Sequence, residues 1–328
     1  MRALVMDGFG SPDQAKPGEL PKPEAGPDDL LVRVSAASVN PVDWKEMAGY
    51  LAQVYGEYGK WAPGFDACGK VEAVGSNVRD FAVGDRVVLL ADRREGPQSG
   101  TLAEYVRVPA RLAARAPAKA SDGEVAAIPT AGITGYQGLF RPDVGTLKAG
   151  ESVLILGASG GIGSFSIGYA HAAGARVAAA ARDVNLDYVR SLGADLAIDY
   201  KNDDVVAAVK TWAPEGVDHI LDAGTGGNQP GILDMIKDGG RLVIVATYVN
   251  DADIEKLTAE ASKRNISVHY LILDLGTLRQ DLDATAKLID EGKMKLPELT
   301  VYPLDRGAEA LAAQQAGGVR GKLVVTID

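Results

Sequence analysis

Residues 151–183 read ESVLILGASGGIGSFSIGYAHAAGARVAAAARD, and they carry the clearest structural pattern of the chain. The short apolar run at 153–156 is typical of a parallel strand that is buried on both faces. A glycine-rich turn follows at 157–163, and small and apolar residues at helical spacing come after it. Gly174 ends that helix, and residues 176–181 form the next apolar run. The stretch therefore predicts a strand, a glycine turn, a helix and a second strand.

The glycine turn lies where a dinucleotide pyrophosphate would bind. Backbone N–H groups at a helix N-terminus can reach a pyrophosphate only where no Cβ stands in the way. A glycine-rich connection that binds nothing is the alternative, but the strand before the turn and the helix after it favour cofactor binding. The predicted cofactor-binding residues of the turn are Gly157, Ala158, Ser159, Gly160, Gly161, Ile162 and Gly163.

Length and composition limit the class of protein. The chain has 328 residues, which is enough for two domains. Its net charge of −10 opposes binding to nucleic acid or to anionic membranes, because both require concentrated Lys and Arg. No apolar run approaches the ~18 residues of a membrane span, and the start, MRALVMDGFGSPDQ, does not have the form of a signal segment. We expect a cytoplasmic protein whose partners are small molecules or a second copy of itself.

Cysteine and histidine are scarce. The single cysteine, Cys68, excludes an internal disulfide, and its strand-like surroundings favour a small buried residue. Tetrahedral zinc usually takes Cys and His ligands, and the three histidines are scattered along the chain. A zinc site is therefore not expected.

Strand and helix patterns are segregated along the chain. The first third carries mostly strands separated by glycine turns, and a capping box at 121–124 precedes an Ala-rich helical stretch. Strands then alternate with helices, which predicts a doubly wound parallel sheet at 124–273. The remaining C-terminal segment is too small for a typical domain. The predicted fold class is α/β, with a dinucleotide-binding domain at 124–273 and a mainly β domain from 1–123 and 274–328.

Several short motifs occur in order along nearly the whole chain. They are SVNPVD at 38–43, GFD at 64–66 leading to Gly75, GDRV at 84–87, GTLAEY at 100–105, AGITGY at 131–136, the glycine turn, LGAD at 192–195 and RGK at 320–322. On these motifs the chain resembles the medium-chain dehydrogenase/reductase superfamily, in its zinc-free quinone oxidoreductase (zeta-crystallin-like) branch. The resemblance implies a GroES-like mainly β domain and a Rossmann doubly wound domain. The zinc-ligand segments of zinc-bearing relatives are replaced here by NPVD and GFD.

The resemblance also implies catalytic residues. Asn40 matches an asparagine beside the nicotinamide and the substrate, whose amide could donate to a carbonyl oxygen. Thr134 matches a hydroxyl that contacts the nicotinamide. Tyr50 is a predicted pocket residue, since five Trp and Tyr side chains fall within 44–61 and suggest the wall of a site for a flat apolar ligand. Asp43 could orient the loop or relay a proton, and capping of the short helix is the alternative that we favour.

The missing metal favours an activated acceptor. An alcohol dehydrogenase needs zinc or a comparable Lewis acid to polarise the oxygen, whereas a quinone or an α,β-unsaturated carbonyl (enone) already has an electrophilic centre. The protein then needs to align the nicotinamide with that centre, donate a hydrogen bond to the oxygen and exclude water. The resemblance thus implies a zinc-independent quinone or enone oxidoreductase. A non-catalytic dinucleotide-binding protein with a structural or sensing role is the alternative, since fold alone does not give function.

The end of the second predicted strand indicates which cofactor binds. An NAD site expects Asp or Glu there, to accept hydrogen bonds from the ribose hydroxyls. The first side chain after the four alanines is Arg182, and a guanidinium can pair with a 2′-phosphate. Asp183 would favour NAD if the strand ended one residue later. The acidic position of the family falls on Arg182, and Tyr200 resembles a tyrosine that lines the adenosine phosphate pocket, so NADPH is predicted.

Residues after the later strands complete the site. Open α/β sheets bind ligands at the carboxyl edge of their strands. Ala223, Thr247 and Tyr248 follow predicted strands and are therefore predicted to bind the cofactor. The apolar run ISVHYLIL at 266–273 resembles the last cofactor-domain strand of the family, which pairs with its copy in a second subunit. A homodimer is predicted, because an exposed apolar edge would otherwise invite aggregation.

Overall fold

The computed structural model describes residues 1–56, 58–91, 100–245 and 251–327. The chain divides into two compact units. Unit 1 consists of Met1–Ala131, Leu275–Glu291 and Glu298–Asp328, and unit 2 consists of Gly132–Asp274 and Gly292–Pro297. In the part of the chain that the structure describes, no helix combines the length and the apolarity needed to cross a membrane.

The strands of the described residues are numbered in chain order. They are β1 (Arg2–Asp7), β2 (Lys16–Glu19), β3 (Asp29–Val39), β4 (Lys60–Trp61), β5 (Asp66–Val74), β6 (Arg86–Leu90), β7 (Tyr105–Pro109), β8 (Ala113–Arg115), β9 (Ser152–Leu156), β10 (Arg176–Ala181), β11 (Leu196–Asp199), β12 (Val217–Asp222), β13 (Ile236–Val245), β14 (Ser267–Leu271), β15 (Leu299–Pro303) and β16 (Lys322–Thr326).

The helices are numbered in the same way. The α-helices are α1 (Pro41–Met47), α2 (Ala52–Tyr55), α3 (Asp122–Ala126), α4 (Ile133–Phe140), α5 (Gly161–Ala172), α6 (Leu186–Leu192), α7 (Val205–Trp212), α8 (Asp251–Ser262), α9 (Leu278–Asp290) and α10 (Gly307–Ala316). Short 3-10 helices cover Pro12–Gln14, Ala110–Leu112, Asp183–Asn185, Ile232–Met235 and Leu304–Arg306, and a π-helix covers Ile128–Gly132.

Unit 1 is mainly β. It holds a three-stranded sheet in the order β2-β1-β4 and a seven-stranded sheet along the path β15-β16-β3-β5-β6-β8, with β7 also pairing with β3. In β3 the side chains of Val32 and Val34 are buried while Arg33 between them is exposed, as the alternating sequence predicts. Strand β16 pairs antiparallel with β3, with Leu323 opposite Val39, so a strand from the C-terminal part of the chain joins the sheet formed by the first third.

Unit 2 is built on a six-stranded parallel sheet. Its strand order is β11-β10-β9-β12-β13-β14. Every residue of β9 is buried, as expected for a central strand covered on both faces. The chain runs outward from β9 to β11 and then restarts on the other side of β9 with β12. Such a reversal of strand order marks the ligand-binding edge of doubly wound sheets. The predicted α/β class with a Rossmann sheet is confirmed.

The observed boundaries of the units differ from 1–123, 124–273 and 274–328 in three places, one of which is the assignment of Asp274 to unit 2. Helix α3 packs on β3 and β5 and therefore belongs to unit 1. The segment Gly292–Pro297 belongs to unit 2, where a Cβ on Gly168 would come within 3.1 Å of the Lys295 carbonyl oxygen. The capping box at Ser121 and Glu124 is present, but a cap marks where a helix begins and not what it packs against.

Candidate cofactor site and a buried ionic cluster

The predicted glycine turn connects β9 to α5. Gly157 directly follows the strand and has a φ of 72°, which favours glycine. Gly163 lies so close to the turn that a Cβ there would come within 2.4 Å of the Gly157 carbonyl oxygen. A Cβ on Gly160 would meet the same oxygen at 3.4 Å, an ordinary contact. Gly163 therefore allows α5 to pack closely on the turn after β9. The protein around Gly160, in contrast, has room for a Cβ.

The first turn of α5 presents donors for an anion. Gly161, Ile162 and Gly163 are its first residues, and the N–H groups of a first helical turn have no acceptor within the helix. The Ser164 N–H donates to the Gly160 carbonyl at 2.9 Å and begins the hydrogen bonding of the helix. The positive end of the helix dipole adds to these donors, so this turn fits a pyrophosphate.

Side chains around the turn hold it in place. The amide of Asn185, which is buried, donates to the Ser159 hydroxyl at 3.1 Å. The N–H of Ala158 donates to the Ala180 carbonyl in β10 at 3.2 Å. These contacts link the predicted turn residues to the next strand and to the segment that follows it.

The loop after β12 lies against the glycine turn. A Cβ on Gly157 would come within 3.0 Å of the Ala223 carbonyl group and 3.2 Å of the Gly224 Cα. Ala223 is therefore placed beside the turn, at the carboxyl edge where it was predicted. Thr247 and Tyr248 lie outside the described residues.

Sequence reasoning missed Asp222, whose buried carboxylate shapes this loop. It accepts hydrogen bonds from the N–H groups of Gly224, Thr225 and Gly227, at 3.0, 2.7 and 2.6 Å, and from the Thr225 hydroxyl at 2.6 Å. The sequence signal was an aspartate directly before Ala-Gly-Thr-Gly-Gly, which is the composition of a loop built on an aspartate side chain.

Arg182 and Tyr200 follow two neighbouring strands. Strands β10 and β11 pair with Ala181 opposite Asp199, and the Tyr200 N–H donates to the Ala181 carbonyl at 3.1 Å. Both side chains are exposed, and the Lys201 ammonium lies 5.5 Å from the centroid of the Tyr200 ring. Two cations and an aromatic ring therefore follow adjacent strand ends at the carboxyl edge.

Asp183 lies beyond the end of the second Rossmann strand. Strand β10 ends at Ala181, and Asp183 is the first residue of the 3-10 helix that follows. Its carboxylate accepts a hydrogen bond from the Val184 N–H at 2.7 Å. The first side chain beyond the strand is thus that of Arg182, as predicted.

In unit 1, Asn40 belongs to a buried cluster of ionic side chains. Its amide nitrogen donates to the Asp66 carboxylate at 2.8 Å, and its amide oxygen accepts from the Lys322 ammonium at 2.6 Å. Lys322 also donates to the Val39 carbonyl at 3.0 Å. All three side chains are almost completely buried. Asn40 directly precedes α1, where it acts as the N-cap residue.

Asp66 is the most fully satisfied member of the cluster. Besides the Asn40 amide, it accepts from the Ser38 hydroxyl at 3.0 Å and from the Thr130 N–H and hydroxyl at 3.1 and 2.6 Å. Burial raises the pKa of Asp66, and the charge of Lys322 and these donors oppose the rise. Burial likewise lowers the pKa of Lys322, against the attraction of Asp66 and Asp43.

Asp43 has fewer partners than Asp66. One carboxylate oxygen accepts from the Asn40 N–H at 2.5 Å, which is the helix-capping role that we favoured from the sequence. The other oxygen, Oδ1, is buried and has no hydrogen-bond partner among the described residues. Burial raises the pKa of Asp43 to about 8, with the carboxylates of Asp66 and Glu46 adding to the rise. A pKa of about 8 keeps Asp43 mainly protonated at neutral pH, whereas Asp66 is surrounded by hydrogen-bond donors and lies near the charge of Lys322.

Tyr50 and Thr134 are not members of this cluster. Tyr50 lies in the turn between α1 and α2, is 69% exposed, and packs edge-on against Trp44 with ring centroids 6.2 Å apart. Thr134 is a buried residue in the first turn of α4, in unit 2. The structure thus brings Asn40 and Asp43 together in unit 1, and the glycine turn and Ala223 together in unit 2.

Potential metal ligands do not cluster in the described residues. No group of three or more His, Cys, Asp or Glu side chains there could hold a metal ion. Cys68 is completely buried, which confirms the prediction of a small buried residue. Burial raises the pKa of its thiol, which lies 3.5 Å from the Asp122 carboxylate.

Comparisons with known proteins agree with this architecture. Residues 26–118 match the family described as alcohol dehydrogenase GroES-like domain, and residues 192–325 match the family described as zinc-binding dehydrogenase. The chloroplastic NADPH-dependent alkenal/one oxidoreductase of Arabidopsis thaliana is 32% identical over 333 residues, covering 99% of this chain and 79% of that protein.

Two further relatives match over nearly their full length. The chloroplastic quinone-oxidoreductase homolog of Spinacia oleracea is 29% identical, covering 99% of this chain and 98% of that protein. The solved structure of the quinone oxidoreductase from Coxiella burnetii superposes with a TM-score of 0.85 at 29% identity, covering 100% of this chain and 99% of that one.

The fold and the glycine turn define an oxidoreductase of the class that binds a nicotinamide dinucleotide. The chain belongs to the medium-chain dehydrogenase/reductase superfamily, in its zinc-free quinone oxidoreductase branch.

Proposed function

We propose that the protein is a zinc-independent, NADPH-dependent oxidoreductase that transfers a hydride to a quinone or an α,β-unsaturated carbonyl compound. The observation that carries the proposal is the glycine turn before α5 together with Arg182, the first side chain beyond β10. The turn supplies donors for the pyrophosphate, and the guanidinium supplies a partner for a 2′-phosphate.

Preference for NADPH over NADH is argued from charge. An NADH site uses a carboxylate at the end of the second strand, and that carboxylate repels a 2′-phosphate. Here the corresponding side chain is Arg182, with Tyr200 and Lys201 after the neighbouring strand. A phosphate flanked by two cations and packed against an aromatic ring gains charge-assisted hydrogen bonds that NADH cannot make.

The acceptor class is argued from the side chains available in this chain. A bound NADPH supplies the hydride. We assign the Asn40 amide as the donor to the acceptor oxygen, on which negative charge develops, and Thr134 as a contact of the nicotinamide. A proton from solvent completes the reduction, so that hydride and proton together reduce the quinone or the carbon–carbon double bond. Relatives that are named quinone and alkenal/one oxidoreductases support this acceptor class.

A panel assay tests the proposal. Quinones and enones are tested with NADPH and with NADH, following cofactor absorbance, and turnover is expected with NADPH for at least one acceptor class. Dialysis of the protein against a strong chelator should leave that activity unchanged. Tight binding of NADPH without turnover of any acceptor would instead support the non-catalytic dinucleotide-binding protein. Loss of activity with loss of stoichiometric zinc would contradict the metal-independent reaction.

We also propose a homodimer and a cytoplasmic location. Strand β14 is at one end of the unit 2 sheet, and no described strand pairs with its outer edge. Tyr270 and Ile272, in and just after this strand, are 41% and 73% exposed. Pairing of this edge with a second copy would bury that apolar surface. The cytoplasmic location is supported by the single cysteine, which leaves no internal disulfide and fits a reducing compartment, and it is tested by cell fractionation.

A further inference from the structure

We infer that Lys322 and Asp66 are positioning residues that fix the direction of the Asn40 amide, so that one of its N–H bonds remains for the acceptor oxygen. This inference rests on the role proposed above for Asn40, and it names two further residues of the same site. Lys322 and Asp66 need no contact with the acceptor, because both act through Asn40.

The oxygen and the nitrogen of the Asn40 side-chain amide have partners of opposite charge. An amide group has nearly the same shape after a 180° flip, which exchanges its oxygen and its nitrogen. Here the oxygen lies 2.6 Å from the Lys322 ammonium and the nitrogen lies 2.8 Å from the Asp66 carboxylate. A flipped amide would set donor against donor and acceptor against acceptor. The cluster is buried, where such mismatches are most costly, so one orientation is selected.

The two ions that flank Asn40 are themselves held. Lys322 also donates to the Val39 carbonyl, and Asp66 also accepts from Ser38 and Thr130. A side chain whose neighbours are fixed in this way is kept close to its productive geometry. Of the two hydrogens on the amide nitrogen, one is directed to Asp66 and the other remains to donate. The positive charge beside the amide oxygen also makes the remaining N–H a stronger donor.

Strand pairing explains how the three residues meet. Strand β16 pairs with β3 so that Leu323 is opposite Val39, which brings the preceding residue, Lys322, beside Asn40. Strand β5 pairs with the other side of β3, with Asp66 opposite Ser38. The two ions therefore approach the amide from β16 and β5, which pair with this end of β3.

A double-mutant cycle tests the inference. Asn40→Ala, Lys322→Met and the double variant are assayed with the best acceptor at saturating NADPH. We expect each single variant to lower kcat/KM for the acceptor by roughly tenfold or more, up to the ~10²–10³-fold loss of rate seen when one donor to a developing oxyanion is removed. If Lys322 acts through Asn40, the double variant should be no slower than Asn40→Ala alone. The KM for NADPH should stay within about twofold of the wild-type value.

Two further variants separate positioning from stability. Val325→Ala removes a buried side chain from the same strand β16, opposite Ala37, and should lower the melting temperature while kcat/KM stays unchanged. Lys322→Gln keeps an N–H donor for the Asn40 oxygen, so its activity should lie between those of the wild type and Lys322→Met. If circular dichroism shows that Lys322→Met does not fold, the same cycle is completed with Lys322→Gln.

The outcomes separate the inference from the proposed function. Full activity of Lys322→Met, or a loss that is equally large with and without Asn40, overturns the positioning role and leaves the proposed reaction standing. Full activity of Asn40→Ala overturns the role of the amide and the inference with it, again without touching the reaction. Absence of turnover by the wild-type protein with every quinone and enone overturns the proposed function itself.

Discussion

At the scale of single residues, hydrogen-bond donors distinguish the two buried carboxylates of the cluster. Asp66 accepts hydrogen bonds from three side chains and one backbone group, whereas Asp43 accepts from the Asn40 N–H and leaves its second oxygen unbonded. Hydrogen-bond donors favour the charged form of a carboxyl group, and burial favours the neutral form. The donors around Asp66 oppose the rise in its pKa, whereas the pKa of Asp43 rises to about 8, so Asp43 holds a proton at neutral pH.

The proton on Asp43 predicts a pH dependence of stability. Its pKa in the folded chain, about 8, is far above the usual range of an aspartate. The stability that comes from holding this proton is fully present below the unfolded pKa and is lost as the pH rises through the folded pKa. Asp43→Asn keeps the helix cap and removes the titration. Between pH 5 and 8 the free energy of unfolding of the wild type should fall relative to this variant, by up to about 1.4 kcal/mol per pH unit.

Denaturant unfolding at several pH values measures this difference. Asp187→Asn is the matched control, since it makes the same substitution at a fully exposed aspartate in α6. Parallel profiles for the wild type and Asp43→Asn would show that Asp43 is already ionised at neutral pH.

Arg182 carries the prediction about the cofactor. Replacing it by Ala should raise the KM for NADPH about tenfold or more, because a charge-assisted pair contributes roughly 1.5–3 kcal/mol. The KM for NADH should hardly change. Arg190→Ala removes one positive charge from α6, where Arg190 pairs with Asp187, and should leave both constants unchanged. An equal loss with both cofactors, or a wild-type preference for NADH, would show that Arg182 does not bind the phosphate.

At the scale of elements, the glycine turn could be predicted from the sequence and the ionic cluster could not. The turn is local: the spacing of its glycines between an apolar run and a helical pattern contains all that is needed. Lys322 is 282 residues from Asn40, and the register that joins them is set by pairing of β16 with β3. A single sequence contains no direct record of that register, so Asn40 and Asp43 were predicted without Lys322 and Asp66.

Two glycines of the turn should respond differently to alanine. A Cβ on Gly163 would come within 2.4 Å of the Gly157 carbonyl oxygen and 2.6 Å of the Ala158 Cα, both backbone atoms. Gly163→Ala should therefore destabilise unit 2 by about 1–3 kcal/mol, as overpacking does. A Cβ on Gly160 meets nothing nearer than 3.4 Å, so Gly160→Ala should keep its stability and raise the KM for NADPH.

Thermal unfolding and cofactor titration measure the two effects of these substitutions separately. Both glycines are replaced by alanine, so any difference between the two variants is due to the position of the substitution. Equal stability of both variants would mean that the helix can move away from the strand at no cost. An unchanged KM for NADPH in Gly160→Ala would mean that the phosphates do not approach this part of the turn.

At the scale of the whole molecule, the α/β class and the presence of two units could be predicted, because period-two and helical patterns are segregated along the chain. The boundaries were less accurate. Helix α3 and the segment Gly292–Pro297 each pack on a unit that their position in the sequence does not indicate. Packing partners of short connecting elements depend on tertiary contacts, and local patterns contain little information about those contacts.

The oligomeric state is the last prediction and depends on the outer edge of β14. Pairing of this edge with a second copy would cover the apolar side chain of Ile272, now 73% exposed. Ile272→Lys places a charge there and should shift the protein from dimer to monomer at micromolar concentration in ultracentrifugation. Val301→Lys changes an exposed apolar side chain in β15, an end strand of the other large sheet, and should leave the dimer intact. A wild-type protein that sediments as a monomer throughout this range would mean that the outer edge of β14 does not form a dimer interface.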